Sequence, residues 1–349
     1  MYMQKEITRG TDLFDDRGNL TQTGWARQLI MNYNREKMRA SLLRLKEWDC
    51  YCILNPQHQL NLIVADVGYF GMGHVDWFDY RAGKNKSSQV LKLFTRGKLN
   101  LPRTADRGDV EFRKGNSWIK FKHLPGPMSQ RELTFDFPDY EFEGRKGISG
   151  RIVLTRDPKD DTMVNVIPFK NPRHFVYVQK IVCMPAVGEV NLGGEIYKFE
   201  GEANDSYAAL DWSRGVFPYH TEWWWSYASG KVNGKFFGFN IDYGFGTESS
   251  KNMIFYDGKG HHLDEVTYTF DPKDPMKPWI YRSNDGRVEL QLEPIYSNRD
   301  HVSLLVLETN GIHAYGFITG TVVLDDGTKL HIERKDRVFG SAEYCKHRW

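Results

Sequence analysis

The chain of 349 residues has only four cysteines, Cys50, Cys52, Cys183 and Cys345. They form no C-x-x-C pair, so a disulfide framework or a cysteine-based zinc site is not expected, and buried free thiols are. It lacks an excess of either charge: Lys and Arg number 47, Asp and Glu 45, and the formal net charge is +2. That balance excludes a global field drawing it to nucleic acid or an anionic membrane. No apolar run approaches the ~20 residues of a spanning helix. The opening "MYMQKEITRGTDLFDD" has no apolar signal core. The expectation is a soluble, cytoplasmic protein without an integral membrane segment. G-x-G-x-x-G opening a helix, the phosphate-loop pattern and G-x-S-x-G are all missing, so no nucleotide cofactor or serine elbow is indicated.

Aromatic residues are plentiful, at 14%, and glycines number 32. Short runs alternate apolar and polar residues, among them "SWIKFKHL", "ELTFDF", "GKFFGFNIDY" and "HVSLLVLE". Period-two runs bounded by turn residues read as half-buried antiparallel strands. Asn233-Gly234 and Asp326-Gly327 are strong hairpin signals. One short helix is expected near Asn34 to Trp48, where Met38, Leu42 and Leu45 recur at helical spacing behind Asn34 as cap. Its basic residues read as a solvated face. "ADVGYFG" and "NIDYGFG" are offset by 175 residues, and "GISGRIVL" and "GFITGTVVL" by 169. Two matches in the same order suggest a duplicated β unit. The expected fold is all-β, with two antiparallel barrels or curled sheets side by side. The expected divisions are an N-terminal segment 1–47, a first unit 48–170, and a second unit 171–349 carrying the main cavity.

"RLKEWDCYCIL", "ADVGYFG", "YVQKIVCMPAVGEV", "LDWSRGVFPYHTEWWWSYASGKVNGKFFGFN" and "GSAEYCKHRW" run in order through nearly the whole chain. With them the sequence resembles the bacterial domain-of-unknown-function family 2804. The core of the longest piece, Asp-Trp-x-x-Gly followed by Trp-x-Trp and a glycine hairpin, is also similar to two-barrel, lipocalin-like carotenoid hydratases and fungal Diels–Alderases. The resemblance implies a lipocalin-like form for both units and assigns no activity. The family pattern places an acidic residue before Asn252, where this chain has Lys251.

The stretch from Asp211 to Tyr227 holds four of the ten tryptophans. As a strand, Tyr219 to Tyr227 puts Tyr219, Thr221, Trp223 and Trp225 on one face, and His220, Glu222 and Trp224 on the other. Only one of the two faces can line a cavity. "LDWSRG" reads as a turn, with Asp211 bonding nearby amides, Trp212 flanking it and Gly215 supplying positive φ. Asp211, Arg214, His220 and Glu222 are the candidate acid/base groups, with Arg214 setting the charge state of Asp211. The ordinary structural reading is an aromatic core with a structural ion pair. The density of ionisable groups argues against it, because each buried one is costly unless paired. Asn240, Asp242 and Tyr243 follow the hairpin and should lie beside the tryptophan strand, a polar group fit to orient an apolar ligand. Glu343 could close the same cavity or pair with Arg348.

His220-x-Glu222 lacks the P-C-x-x-C of zinc deaminases. The adjacent His261 and His262 would point to opposite faces of a strand, and the acidic loop around Glu200 to Asp205 lacks calcium-loop spacing. No metal or cofactor is expected. The reading these residues favour is an enzyme moving protons on a lipophilic small molecule, by hydration, isomerisation or cyclisation. The alternatives are a non-catalytic protein holding a hydrophobic ligand, and a carbohydrate-binding or carbohydrate-cleaving protein using Asp211 with Glu222.

Overall fold

The structure is a computed structural model that describes residues 5–244, 251–304 and 307–348. The described strands form two antiparallel sheets, of 13 and 10 strands. One curls into a nearly closed barrel and the other into a half-barrel. The main path of the first sheet runs Lys84–Leu93, Phe70–Asp79, His58–Asp66, Leu45–Leu54, Tyr207–Val216, Phe175–Leu192, Arg145–Arg156, Ser129–Phe142, Ser117–Leu124, Val110–Lys114. The second runs Lys259–His262, Met253–Tyr256, Lys235–Tyr243, His220–Val232, Phe339–Arg348, Leu307–Val323, Val288–Leu304, Trp279–Ser283, Val266–Thr269. The chain changes sheets between Val216 and His220; residue 170 lies within the first sheet, just before the Phe175–Leu192 strand.

Position by position, the nine strands of the second path match the first nine of the first path, and Val110–Lys114 has no counterpart among the described residues. "ADVGYFG" and the "NIDYG" of "NIDYGFG" close strands in the same place, third along each path, so over those residues the repeat is structural, and Phe245 and Gly246 lie outside the described residues. "GISGRIVL" and "GFITGTVVL" do not correspond. The first lies in Arg145–Arg156, which matches Val288–Leu304, whereas the second lies in Leu307–Val323. That likeness is the shared composition of paired strands.

Alternation along the strands explains where each core sits. In Leu45–Leu54, Tyr51 and Ile53 face a core with Leu60, Leu62, Val64, Phe121 and Trp212. Cys50, Cys52 and Leu54 face the other way, into a third cluster that also takes Trp225, Tyr227, Phe255, Tyr315 and Phe339 from the second sheet. The second sheet encloses its own core around Phe237, Phe239, Trp279 and Tyr281. Central strands are therefore buried on both faces, and the two units meet through an apolar layer.

The expected helix over Asn34 to Trp48 is not formed. Only Arg35–Lys37 make a 3-10 turn, with Asn34 accepting from the Glu36 amide at 3.1 Å. From Leu45 onward the chain is strand, hydrogen-bonded on one side to Tyr207–Val216 and on the other to His58–Asp66. Two full ladders outweigh a short helix with a costly nucleus. Nor is the basic run wholly a solvated face. Arg35 is buried against Glu47 at 2.5 Å, and Tyr33 donates to the same carboxylate at 2.9 Å.

Candidate functional site

"LDWSRG" is not a turn. It is the middle of Tyr207–Val216, buried throughout and paired on both sides. Gly215 is needed for closeness, since a Cβ there would sit 2.5 Å from the Phe175 carbonyl oxygen. Alternation then separates Asp211 from Arg214. Arg214 and Trp212 turn into the first unit's core. There the guanidinium meets Asp49 at 2.8 Å, donates to the Trp48, Ser213 and Pro102 carbonyls, and lies 4.3 Å from the Trp212 ring. Arg214 therefore does not set the charge of Asp211.

Asp211 faces the space between the sheets, where a cavity of ≈ 320 Å³ opens. The sequence pattern placed the main cavity inside the second unit; this one is walled by both. Its walls are two rows of cross-strand neighbours. In the first sheet the register aligns Lys180, Asp211, Cys50, Ile63 and His74. In the second it aligns Asn298, His313, Glu343, Trp225 and Asp242. By sheet position Lys180–Asp211 matches His313–Glu343, so each unit contributes a cation–carboxylate pair at the same place. The rows run in opposite senses, and the Lys180 end of one meets the Asp242 end of the other.

There a chain of alternating charges forms. Lys180 Nζ lies 2.9 Å from Asp211 and 3.8 Å from Asp242, and Lys251 Nζ lies 2.7 Å from Asp242. Ser213 Oγ donates to Asp211 at 2.9 Å. All four charged side chains are nearly buried. Burial opposes the charge on Lys180, yet Asp211 and then Asp242 outweigh it and raise its pKa. Burial also raises the Asp242 carboxyl, against the pull of Lys251 and Lys180, and lowers Lys251 despite Asp242. The residue that departs from the family pattern, Lys251, is thus part of the wall. Trp225 lies beside this chain. Its ring takes Lys180 Nζ at 4.0 Å from the centroid, and its indole N–H donates to Asn240 at 2.8 Å. Asn240 is fully buried behind the wall and also donates to the Lys251 carbonyl at 2.7 Å.

Further along, His313 is held between Asp300 at 3.0 Å and Glu343 at 3.2 Å. Burial alone would lower its pKa; the hydrogen bonds to Asp300 and Glu343 raise it to about 10. Glu343 also accepts from the Trp223 indole at 2.8 Å. Among the described residues, His313, Glu343 and Cys345 bring three ligand atoms within 4.8 Å of one another, a donor set a divalent ion accepts.

His313 carries a pH expectation. Its folded pKa, about 10, exceeds its ordinary 6.5, so the stability it contributes is full below 6.5 and is lost as pH rises through 10. The stability gap between wild type and His313→Gln, followed by urea melts, should be widest at pH 6 and close towards pH 10.

Trp223 and Trp225 thus point into the cavity and the opposite face points away. His220 is exposed, and Tyr219 is 37% exposed. Glu222 bonds Tyr344 and lies 3.5 Å from Lys346 on the outer side. These three do not line the cavity, and neither does Tyr243, which stacks on Trp224 and donates to the Tyr268 carbonyl at 3.0 Å. Asp211, Asp242, Glu343, Trp223 and Trp225 do line it. Lys180, His313 and Asp300 were not anticipated, and Lys251 was marked only as a departure from the family pattern. Lys180 had one visible signal: it is the only charge in the run "FVYVQKIVCM", a segment apolar enough to be buried on both faces.

The chain belongs to the family described as a domain of unknown function, DUF2804, whose profile matches residues 4–349. No curated protein sequence matches it. Among solved structures, CghA with Sch210972 is similar at 11% identity and a TM-score of 0.51, over 86% of this chain and 87% of that one. A putative AttH from Nitrosomonas europaea is 13% identical, with a TM-score of 0.46, over 87% and 92%. Kievitone hydratase from Nectria haematococca is 9% identical, with a TM-score of 0.45, over 97% and 98%. The likeness to CghA is one of fold.

Proposed function

We propose that this protein is an enzyme that holds a lipophilic small molecule between its two sheets and moves protons on it, in a hydration, isomerisation or cyclisation. The observation that carries this reading is the chain Asp211–Lys180–Asp242–Lys251, four nearly buried charges lining an aromatic-walled cavity. Burying them is costly, and a purely apolar wall would hold the units together at less cost. Asp211, which meets Lys180 at 2.9 Å and faces the cavity, is the carboxyl placed to take a proton from a ligand. Asp242, whose pKa burial raises, is the member placed to hold and return one. The Trp225 ring already accepts a cation at 4.0 Å, which suits a developing positive charge on a ligand.

A second reading, a binding protein without chemistry, is favoured by one fact: the carboxylates of the chain are each satisfied by a lysine. One experiment separates the two. Small molecules that copurify with the protein are identified by native mass spectrometry, then returned to wild type and Asp211→Asn in heavy water. The enzyme reading expects deuterium to enter the ligand with wild type, and Asp211→Asn to keep the ligand while exchange falls ~100-fold or more. Equal exchange by both proteins removes Asp211 from the mechanism. Binding without exchange in wild type leaves the binding protein.

A further inference from the structure

The end of the cavity remote from Lys180 is polar on both walls. In the first sheet Asn61, Asp76 and Ser87 are direct cross-strand neighbours facing the cavity. In the second, Asn298 and Asp300 face them two residues apart on one strand. Tyr296 ties the walls together by donating to Asn85 at 2.7 Å. Between this end and the charged chain Cys50, Cys52 and Ile63 make one side apolar, while the other side carries Trp225, Tyr227 and Tyr315 together with the His313–Glu343 pair. From the Asp211 strand to the Asp76 strand is three interstrand steps, ~14 Å along the sheet.

We propose that the ligand is an amphiphile whose uncharged, hydroxyl-rich head sits between Asp76 and Ser87 on one wall and Asn298 and Asp300 on the other, with its apolar body reaching Asp211. This rests on the reading that the cavity takes a lipophilic ligand. The chemistry of the polar end selects the head. Each carboxylate there has a histidine beside it, His74 on Asp76 at 2.7 Å and His313, which is shared with Glu343, on Asp300 at 3.0 Å, so neither needs a cation from the ligand. An anionic head would meet two carboxylates. Asn298 donates to Asp300 at 3.2 Å, and its own oxygen is buried with no hydrogen-bond partner among the described residues. A buried acceptor without a donor is costly, and a ligand hydroxyl supplies the donor. A ligand hydroxyl can also donate to the Ser87 oxygen opposite, whose own hydroxyl is hydrogen-bonded to Asp76.

The test uses four probes with the same tail, each below its micelle concentration: decyl β-D-glucoside, 1-decanol, decyltrimethylammonium and decanoate. Binding to the full chain is followed by tryptophan fluorescence and calorimetry. The glucoside should bind about tenfold tighter than decanol and than either charged probe. Asn298→Leu, and independently Ser87→Ala, should close the gap between glucoside and decanol. If every probe binds alike, if a charged probe binds tightest, or if both variants keep the full glucoside preference, the head assignment is wrong while the lipophilic cavity stands. If no probe binds wild type, the lipophilic cavity itself is wrong and the head assignment falls with it.

Discussion

Lys180→Met should destabilise the folded protein by about 3–5 kcal/mol at pH 7.5, the cost of leaving a buried charge without its partner. Lys180 Nζ lies 2.9 Å from Asp211 and is shared with Asp242. Without it two nearly buried carboxylates face each other across the sheet junction, with Lys251 left to answer for Asp242 alone. The variant's pH dependence has a definite sign. Burial already raises the Asp242 carboxyl against the pull of Lys251 and Lys180, so losing Lys180 raises it further, and the penalty exists where that acid is ionised and fades as it protonates. Urea melts should therefore show a wide gap from wild type at pH 7.5 and a narrower one at pH 5. An equal gap at both would mean that the loss comes from packing of the lysine stem rather than from the charges.

Arg214→Met should cost a similar ~3–5 kcal/mol, for the same reason, on the neighbouring strand and the opposite face of the sheet. Asp49, almost fully buried, would lose its partner, and three carbonyl oxygens would lose a donor. Because Asp49 can also be made apolar, Arg214→Met combined with Asp49→Leu should regain much of the loss. Ligand affinity of the folded Arg214 variant should match wild type, since its side chain points into the first core and not into the cavity. A Kd that rises with the stability loss, and does not recover in the double variant, would place Arg214 in the site after all.

Arg214 lies three residues from Asp211 on the opposite face of its strand, Lys180 lies directly across from Asp211 on the neighbouring strand, and the pair marks where a reading of the chain alone stops. Its pairing rule was proximity in the chain: an Arg three residues from an Asp. A strand breaks that rule, because an odd separation sends the two side chains to opposite faces. The partner Asp211 does have, Lys180, lies directly across the ladder. Similarly, Glu343 was visible only as an isolated acid near the C-terminus, and its place beside His313 comes from a register between strands about thirty residues apart. Within a single strand the reasoning held. The Trp223/Trp225 set and the His220/Glu222 set do lie on opposite faces of His220–Val232, and one of them lines the cavity.

The sequence by itself determined many of the strands, the hairpins, the all-β class and the 175-residue repeat, because alternation and turn chemistry are local and leave a period of two in the residues. Where a strand is buried on both faces, as in Leu45–Leu54 and Tyr207–Val216, it pointed to a helix and a turn instead. It determined too which side chains share a face. Only the tertiary structure decided which face of each strand turns into a barrel and which turns to the neighbouring unit. Strands such as Phe175–Leu192 are buried on both sides over much of their length, so no contrast of polar and apolar residues marks the difference. The packing of the two sheets supplies it, by bringing Asp211 and Lys180 from one against Asp242 and Lys251 of the other.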